Sequence, residues 1–308
     1  MTRARPVANE SAMDVAELLI KGANASVVVF VFSSTLAVGL GLTVQQIAAP
    51  LRNGRLVALS LLANFVLAPV VAIGVARIFG LEQSLGVGLL LVGVAGGAPF
   101  LLKLAELSKG NMPFAVGLMV VLMVITVGYM PIVLPRLLDG VAVNPANIAR
   151  SLILMMLLPL AAGLALRAWQ PSTAARLRSI VAPISSISMI FVVTLTTAAH
   201  FKSMVSILGS FGIVAAVVFV AISLAVGWLL GGPGVQTQSV LALGTAQRNT
   251  AAALVVAGQN FTDPRVVVMI TVVMIVSFAV LMPIARVMAG RQPRHARELN
   301  TTVSGSST

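Results

Sequence analysis

Leu243–Gly258, reading LGTAQRNTAAALVVAG, is the stretch on which the fold turns. It lies inside a long apolar segment, yet it holds Arg248 with Thr245, Gln247, Asn249 and Thr250 around it. A cation near the middle of a bilayer costs roughly 2.5–3.5 kcal/mol on insertion scales. The rest of the chain must therefore bring oxygen atoms or water to that guanidinium.

Composition says what kind of chain does this. Of 308 residues, 58% are hydrophobic and only 9% charged, and the mean hydropathy is +1.05. Soluble domains carry about 25% charged residues, so the sequence reads as an all-α integral membrane protein. With no cysteine, disulfides, thiol chemistry and cysteine-held metals are excluded. The net charge of +12 does not point to nucleic acid, because the basic residues punctuate apolar runs instead of gathering in a solvated domain. Two histidines and eight acids leave little material for hydrolysis or metal binding. HExxH, GxSxG, Walker A and CxxC patterns are all missing. We expect no enzyme, no cofactor and no metal centre.

A membrane span needs about 20 mostly apolar residues. Nine segments qualify: Ala25–Leu42, Leu56–Phe79, Leu85–Leu107, Pro113–Leu138, Ser151–Trp169, Ile180–Ala199, Val205–Leu230, Ser239–Ala257 and Val266–Ala289. The connections are short, and 25–289 reads as a single transmembrane domain. The tail 1–24 contains Met13–Ile20, read as a short interfacial helix or an ordinary flexible terminus. The tail 290–308 is basic, then Ser/Thr-rich, and reads as disordered. With nine spans and the C-terminus inside, ten cations fall inside and eight outside, the inner ones more tightly clustered. This bias places the N-terminus outside a cytoplasmic membrane. The remaining two cations, Lys103 and Arg248, lie within spans, and no carboxylate sits in the middle of any span.

The third and eighth spans resemble each other. Each has an apolar first half, a weak helix-forming interruption (Gly96–Pro99; Gly244–Thr245), then a cation and a second half. They lie five spans apart, and an odd offset reverses topology. Paired interrupted spans in an inverted repeat point to a transporter's binding site, where half-helix N-termini face the cavity.

At these residues the chain resembles the bile acid:sodium symporter family. GGAPFLLKLAELSKGN (Gly96–Asn111) is similar to that family's PGG-x-x-SN motif with its KGN ending. The eighth span resembles its E-x-G-x-Q-N crossing helix, and NFVLAP (Asn64–Pro69) its polar-x-x-x-x-Pro segment. The resemblance covers nearly the whole chain. It implies two five-helix inverted repeats, with a core domain (about 56–138 and 205–289) moving against a panel domain (about 25–42 and 151–199). Here the first panel helix is missing from the pattern, which leaves nine spans and an outside N-terminus. The resemblance also carries over sodium ligands, and they have changed. A Ser-Asn pair falls on Leu101 and Leu102, hydroxyls on Ala115 and Met119, the bridging glutamate on Gly244 and a glutamine on Arg248. Only Asn64 keeps an amide oxygen. A hard cation needs oxygen ligands and usually a carboxylate, so sodium is not expected to bind in the family's manner.

The expected function is secondary transport of a small organic anion, a carboxylate, with coupling absent or to protons. Arg248 is read as an anion-binding residue or as a built-in replacement for a bound sodium charge; the structural alternative is an arginine bonded to carbonyls of the broken helices. Lys103 is either a second cavity cation or a snorkelling partner of Glu106, three residues on. Asn249, Gln247, Thr245, Thr250 and Asn64 are candidate substrate contacts or interhelical hydrogen bonds. Gly96, Gly97 and Pro99 shape the break and allow close packing, with backbone amides near the substrate as a further role, and Phe100 lines the cavity or packs in the core. The alternatives are a sodium symporter with rebuilt sites and a non-transporting receptor or channel on the same fold.

Overall fold

The computed structural model describes residues 7–48, 52–138, 144–201 and 210–290, with side chains from residue 17 on. We number the described helices α1 (Val7–Gly41), α2 (Val44–Ala48), α3 (Gly54–Ile78), α4 (Gln83–Val94), α5 (Leu101–Leu107) and α6 (Met112–Leu137). They continue as α7 (Pro145–Trp169), α8 (Pro171–Ala199), α9 (Gly212–Leu230), α10 (Val235–Ala246), α11 (Thr250–Asn260) and α12 (Pro264–Gly290). No strand occurs among the described residues. Seven helices are long and apolar enough to cross a membrane: Glu17–Gly41 within α1, then α3, α6, α7, α8, α9 and α12. The third and eighth expected spans are each divided into two helices, α4 with α5 and α10 with α11.

Three expectations about boundaries change. Met13–Ile20 is no separate interfacial helix, because α1 runs unbroken through it. The eighth span is interrupted at Gln247–Asn249 rather than Gly244–Thr245, both of which lie inside α10. A lone glycine is tolerated in a buried helix whose neighbours pack closely, so it was the wrong marker for the break. The seventh span's helix starts at Gly212, and most of Val205–Gly212, like the tail after Gly290, lies outside the described residues.

Burial follows composition around each helix. In α4, α10 and α11 hydrophobic residues occupy all sides, and nearly every residue from Leu85 to Val94, Ser239 to Ala246 and Thr250 to Ala257 is buried. A helix that is apolar all round belongs in an interior. By contrast, α8 leaves Ile180, Ile184, Ile187 and Phe191 exposed along one stripe, as suits a lipid-facing wall. Helices α1, α7 and α8 pack chiefly on one another, and α3, α4, α9, α10 and α12 form a second group. Helices α6 and α11 bridge toward the first group through the early turns of α7. At one end, Arg265 ties the loops before α4 and α12 together through Asp263 and Glu82, and Ser84 Oγ donates to Asp263. The Arg265 hydrogen bonds hold the Asp263 carboxyl well below the usual carboxylate range.

Candidate functional site at the crossing of the two broken helices

The breaks have local causes. Pro99 and the Gly96–Gly97 pair end α4, and Gly97 adopts φ +78°. A Cβ there would lie 2.2 Å from Met123 N and 2.6 Å from Met119 O, so only glycine fits between this loop and α6. The freed backbone groups are satisfied across the crossing. Thr126 Oγ1 accepts from Gly96 N (2.9 Å) and faces Gly96 O (3.1 Å). Asn249 N donates to Ala95 O (2.9 Å), and Asn249 Nδ2 donates to Gly97 O (3.0 Å). Asn249 Oδ1 in turn accepts from Ala252 N, the cap of α11. Each broken helix is thus stitched to the other by backbone-directed bonds.

Arg248 is the pin of this arrangement. It is fully buried, and its guanidinium reaches into the core rather than toward open space. Nε donates to Val92 O (3.3 Å), Nη1 to Asn64 Oδ1 and Thr245 O (3.4 Å), and Nη2 to Asn64 O (3.1 Å) and Gly93 O (2.7 Å). A guanidinium has five N–H donors, and five bonds are made. Val92 and Gly93 belong to the last turn of α4, where the helix dipole is negative; Val92 O also accepts from Ala95 N (3.1 Å). Arg248 therefore caps one half-helix while belonging to the other.

Asn64 is available because of Pro69. In α3, residues Ala63–Leu67 form a π-turn, in which Ala68 N bonds to Ala63 O. The next nitrogen belongs to Pro69 and has no hydrogen, so the carbonyls of Asn64 (i→i+5) and Phe65 (i→i+4) lose their helical donor. Arg248 takes the first, and the Tyr129 hydroxyl donates to the second. Asn64 Nδ2 also donates to Ser60 O (3.0 Å) and Thr245 Oγ1 (3.3 Å).

Beside the crossing lies a cavity of about 510 Å³. Its walls come from α1 and α8 on one side and from the two breaks, α5, α6 and α12 on the other. Of the residues expected from sequence, Pro99, Phe100, Lys103, Gln247, Asn249 and Thr250 line it. Arg248 borders it but has no exposed surface. Asn64, Thr245 and Gly97 do not line it; they are buried behind the crossing, in the roles just given. Lys103 is half-exposed and paired with Glu106 at 2.9 Å. Tyr129, Thr126 and Arg178 join the site beyond the residues that sequence marks. A lone tyrosine in an apolar span was a usable signal. Arg178 was hidden because QPSTAARLRS reads as a loop, whereas α8 begins at Pro171 and carries Arg178 to the cavity wall.

No group of three or more potential metal-ligating side chains (His, Cys, Asp or Glu) occurs among the described residues. Apart from Asn64 and Arg248, the positions that the resemblance assigns to sodium offer no oxygen side chain: Leu101, Ala115 and Met119 are buried, and a Cβ on Gly244 would sit 3.1 Å from Leu101 Cδ2 and 3.3 Å from Leu118 Cδ2.

The family model described as the sodium bile acid symporter family matches residues 27–207, more than half of the chain. The chain is also similar to a protein named Probable sodium/metabolite cotransporter BASS2, chloroplastic, from Oryza sativa subsp. japonica, with 28% identity over 242 residues. That match takes in 76% of this chain and 56% of the rice protein, so the chain spans little more than half the length of its relative.

Proposed function

The chain belongs to the sodium bile acid symporter family, and from that premise we propose that it is a secondary carrier of a small organic anion that works without sodium. The five hydrogen bonds of Arg248 carry this reading. A bound sodium ion would neutralise the same kind of oxygen cluster, namely carbonyls and an amide from crossing helices, and would leave during the transport cycle. A guanidinium supplies that charge permanently. Of the two roles expected for Arg248, replacement of a cation is favoured over direct contact with substrate, since no donor is left to offer. The hydrocarbon at Leu101, Ala115, Met119 and Gly244 supports the same conclusion, because it offers a hard cation no ligand.

In this proposal α1, α7 and α8 are the panel, the remaining helices the core, and the cavity between them the substrate's place. Alternating access then requires the crossing to move as one body, which the Arg248 bonds promote. We place the cavity mouth at the end of the lining that bears Gly41, Glu106 and Met112. With the N-terminus outside a cytoplasmic membrane, that end faces inward. The transported group is a carboxylate, and any coupling is to protons.

Purified protein in liposomes tests this. Organic anion uptake should be the same with a sodium gradient, with a potassium gradient and with neither. A steep dependence on the sodium gradient overturns the proposal.

A further inference from the structure

If Arg248 has no donor to spare, another group must meet the substrate's charge. Three cations border the cavity: Lys103, Arg178 and Arg248. Lys103 is neutralised by Glu106 at 2.9 Å, and Arg248 is saturated. Arg178, exposed on α8, makes no hydrogen bond or ion pair among the described residues. Its position is not that of a side chain trailing into lipid. The guanidinium stem lies over Gly41 of α1, where a Cβ would come within 2.7 Å of Arg178 Nε and 3.1 Å of Cζ. The missing side chain at position 41 is what lets the guanidinium rest on the partition between the main cavity and a smaller cleft that also holds Arg167 and Ser179.

The opposite wall carries a second unmet group. Gln247 is 2% exposed, and its Oε1 is buried with no hydrogen-bond partner. An unpaired buried acceptor costs about 1–3 kcal/mol unless something donates to it. The rest of the lining is mostly apolar, with Phe30, Phe100, Met189 and Phe278, broken by the hydroxyls of Ser34, Ser185 and Ser186. The volume of about 510 Å³ falls in the range of small-ligand sites, roughly 300–1,000 Å³.

We infer that Arg178, on the panel side, is the receptor for the substrate's acid group, and that the substrate is an organic monoanion whose far end donates a hydrogen bond to Gln247. This deepens the transport reading and rests on it. The charge would be held by α8 and the distal hydroxyl or amide N–H by the crossing. The ligand would therefore touch both bodies that the transport cycle moves apart.

The test uses a series of ω-hydroxy carboxylates of four to ten carbons, the matching unsubstituted carboxylates, and the matching neutral diols. Ligand-induced thermal stabilisation is measured on the full chain in detergent and in nanodiscs of phosphatidylcholine with or without phosphatidylglycerol. In wild type, at least one ω-hydroxy carboxylate should stabilise, more than its unsubstituted acid and far more than its diol. Arg178→Gln should keep the ligand-free melting temperature, since Arg178 has no partner to lose, and weaken binding about ten- to hundred-fold. Arg178→Lys should recover part of this, and Gly41→Ala, which keeps the charge but displaces it, should weaken binding to an intermediate degree. Wild-type affinity in Arg178→Gln or in Gly41→Ala overturns the inference. So does a series with no stabilising member, or an Arg178→Gln effect confined to the response to phosphatidylglycerol, which would make Arg178 a lipid contact. Uptake assays on wild type and Arg178→Gln separate the two claims: if anions enter liposomes equally with both, transport stands and this assignment falls.

Discussion

Replacing Arg248 by Met keeps most of the side-chain volume and removes all five donors. It strands the carbonyls of Gly93, Asn64 and Thr245 and the amide oxygen of Asn64, and leaves Val92 O with Ala95 N alone. Each stranded buried acceptor costs about 1–3 kcal/mol, but the crossing relaxes and the cost of desolvating the guanidinium is recovered. Breaking a buried charged network typically costs about 3–5 kcal/mol, and that range is the one to expect here. At about 2–4 °C per kcal/mol for chains of 150–250 residues, the melting temperature should fall by about 10 °C. Arg248→Lys keeps the charge with three donors, so at least two of the five bonds go and the fall should be about half as large. The assay is a melt of purified protein followed by size-exclusion recovery, run beside ligand titration. If Arg248→Met melts with the wild type while ligand affinity disappears, Arg248 is a substrate contact and the reasoning above is wrong.

Tyr129→Phe removes the donor that serves Phe65 O. It should lower stability by about 1 kcal/mol, seen as a melting shift of a few degrees without a change in sodium response. Gly97→Ala forces a Cβ to within 2.2 Å of Met123 N at φ +78°; the protein should fail to accumulate as a monodisperse species in fluorescence-detected size exclusion. Asp263 titrates below its unfolded value of about 3.9 because Arg265 and Ser84 bond its ionised form. Its contribution is therefore fully present above that value, begins to be lost as pH falls below it, and disappears only as pH falls through the lower folded-state value. The wild-type melting temperature should decline from pH 5 to pH 3 more steeply than that of Asp263→Asn, and the gap between the two curves should narrow without closing by pH 3.

Much of this protein was legible from residue order alone. Apolar runs long enough to span a bilayer, the weak helix formers at Gly96–Pro99, and the stranded cation Arg248 each follow from local chemistry. Length sets what can cross, glycine and proline set where a helix fails, and the cost of a bare charge demands partners. NFVLAP likewise announced a proline within a span, and hence freed carbonyls. Residue order could not say which oxygens would meet the guanidinium. Val92 and Gly93 lie 156 and 155 positions from Arg248, and their side chains carry no mark of the role, because backbone carbonyls are the same in every residue. Nor could it separate Lys103, which pairs locally, from Arg178, whose sequence neighbours suggest a loop. Composition limits how many charges a membrane chain holds; only the packing of α1 against α8, and of α4 against α11, determines which of them are already satisfied and which remain free to bind.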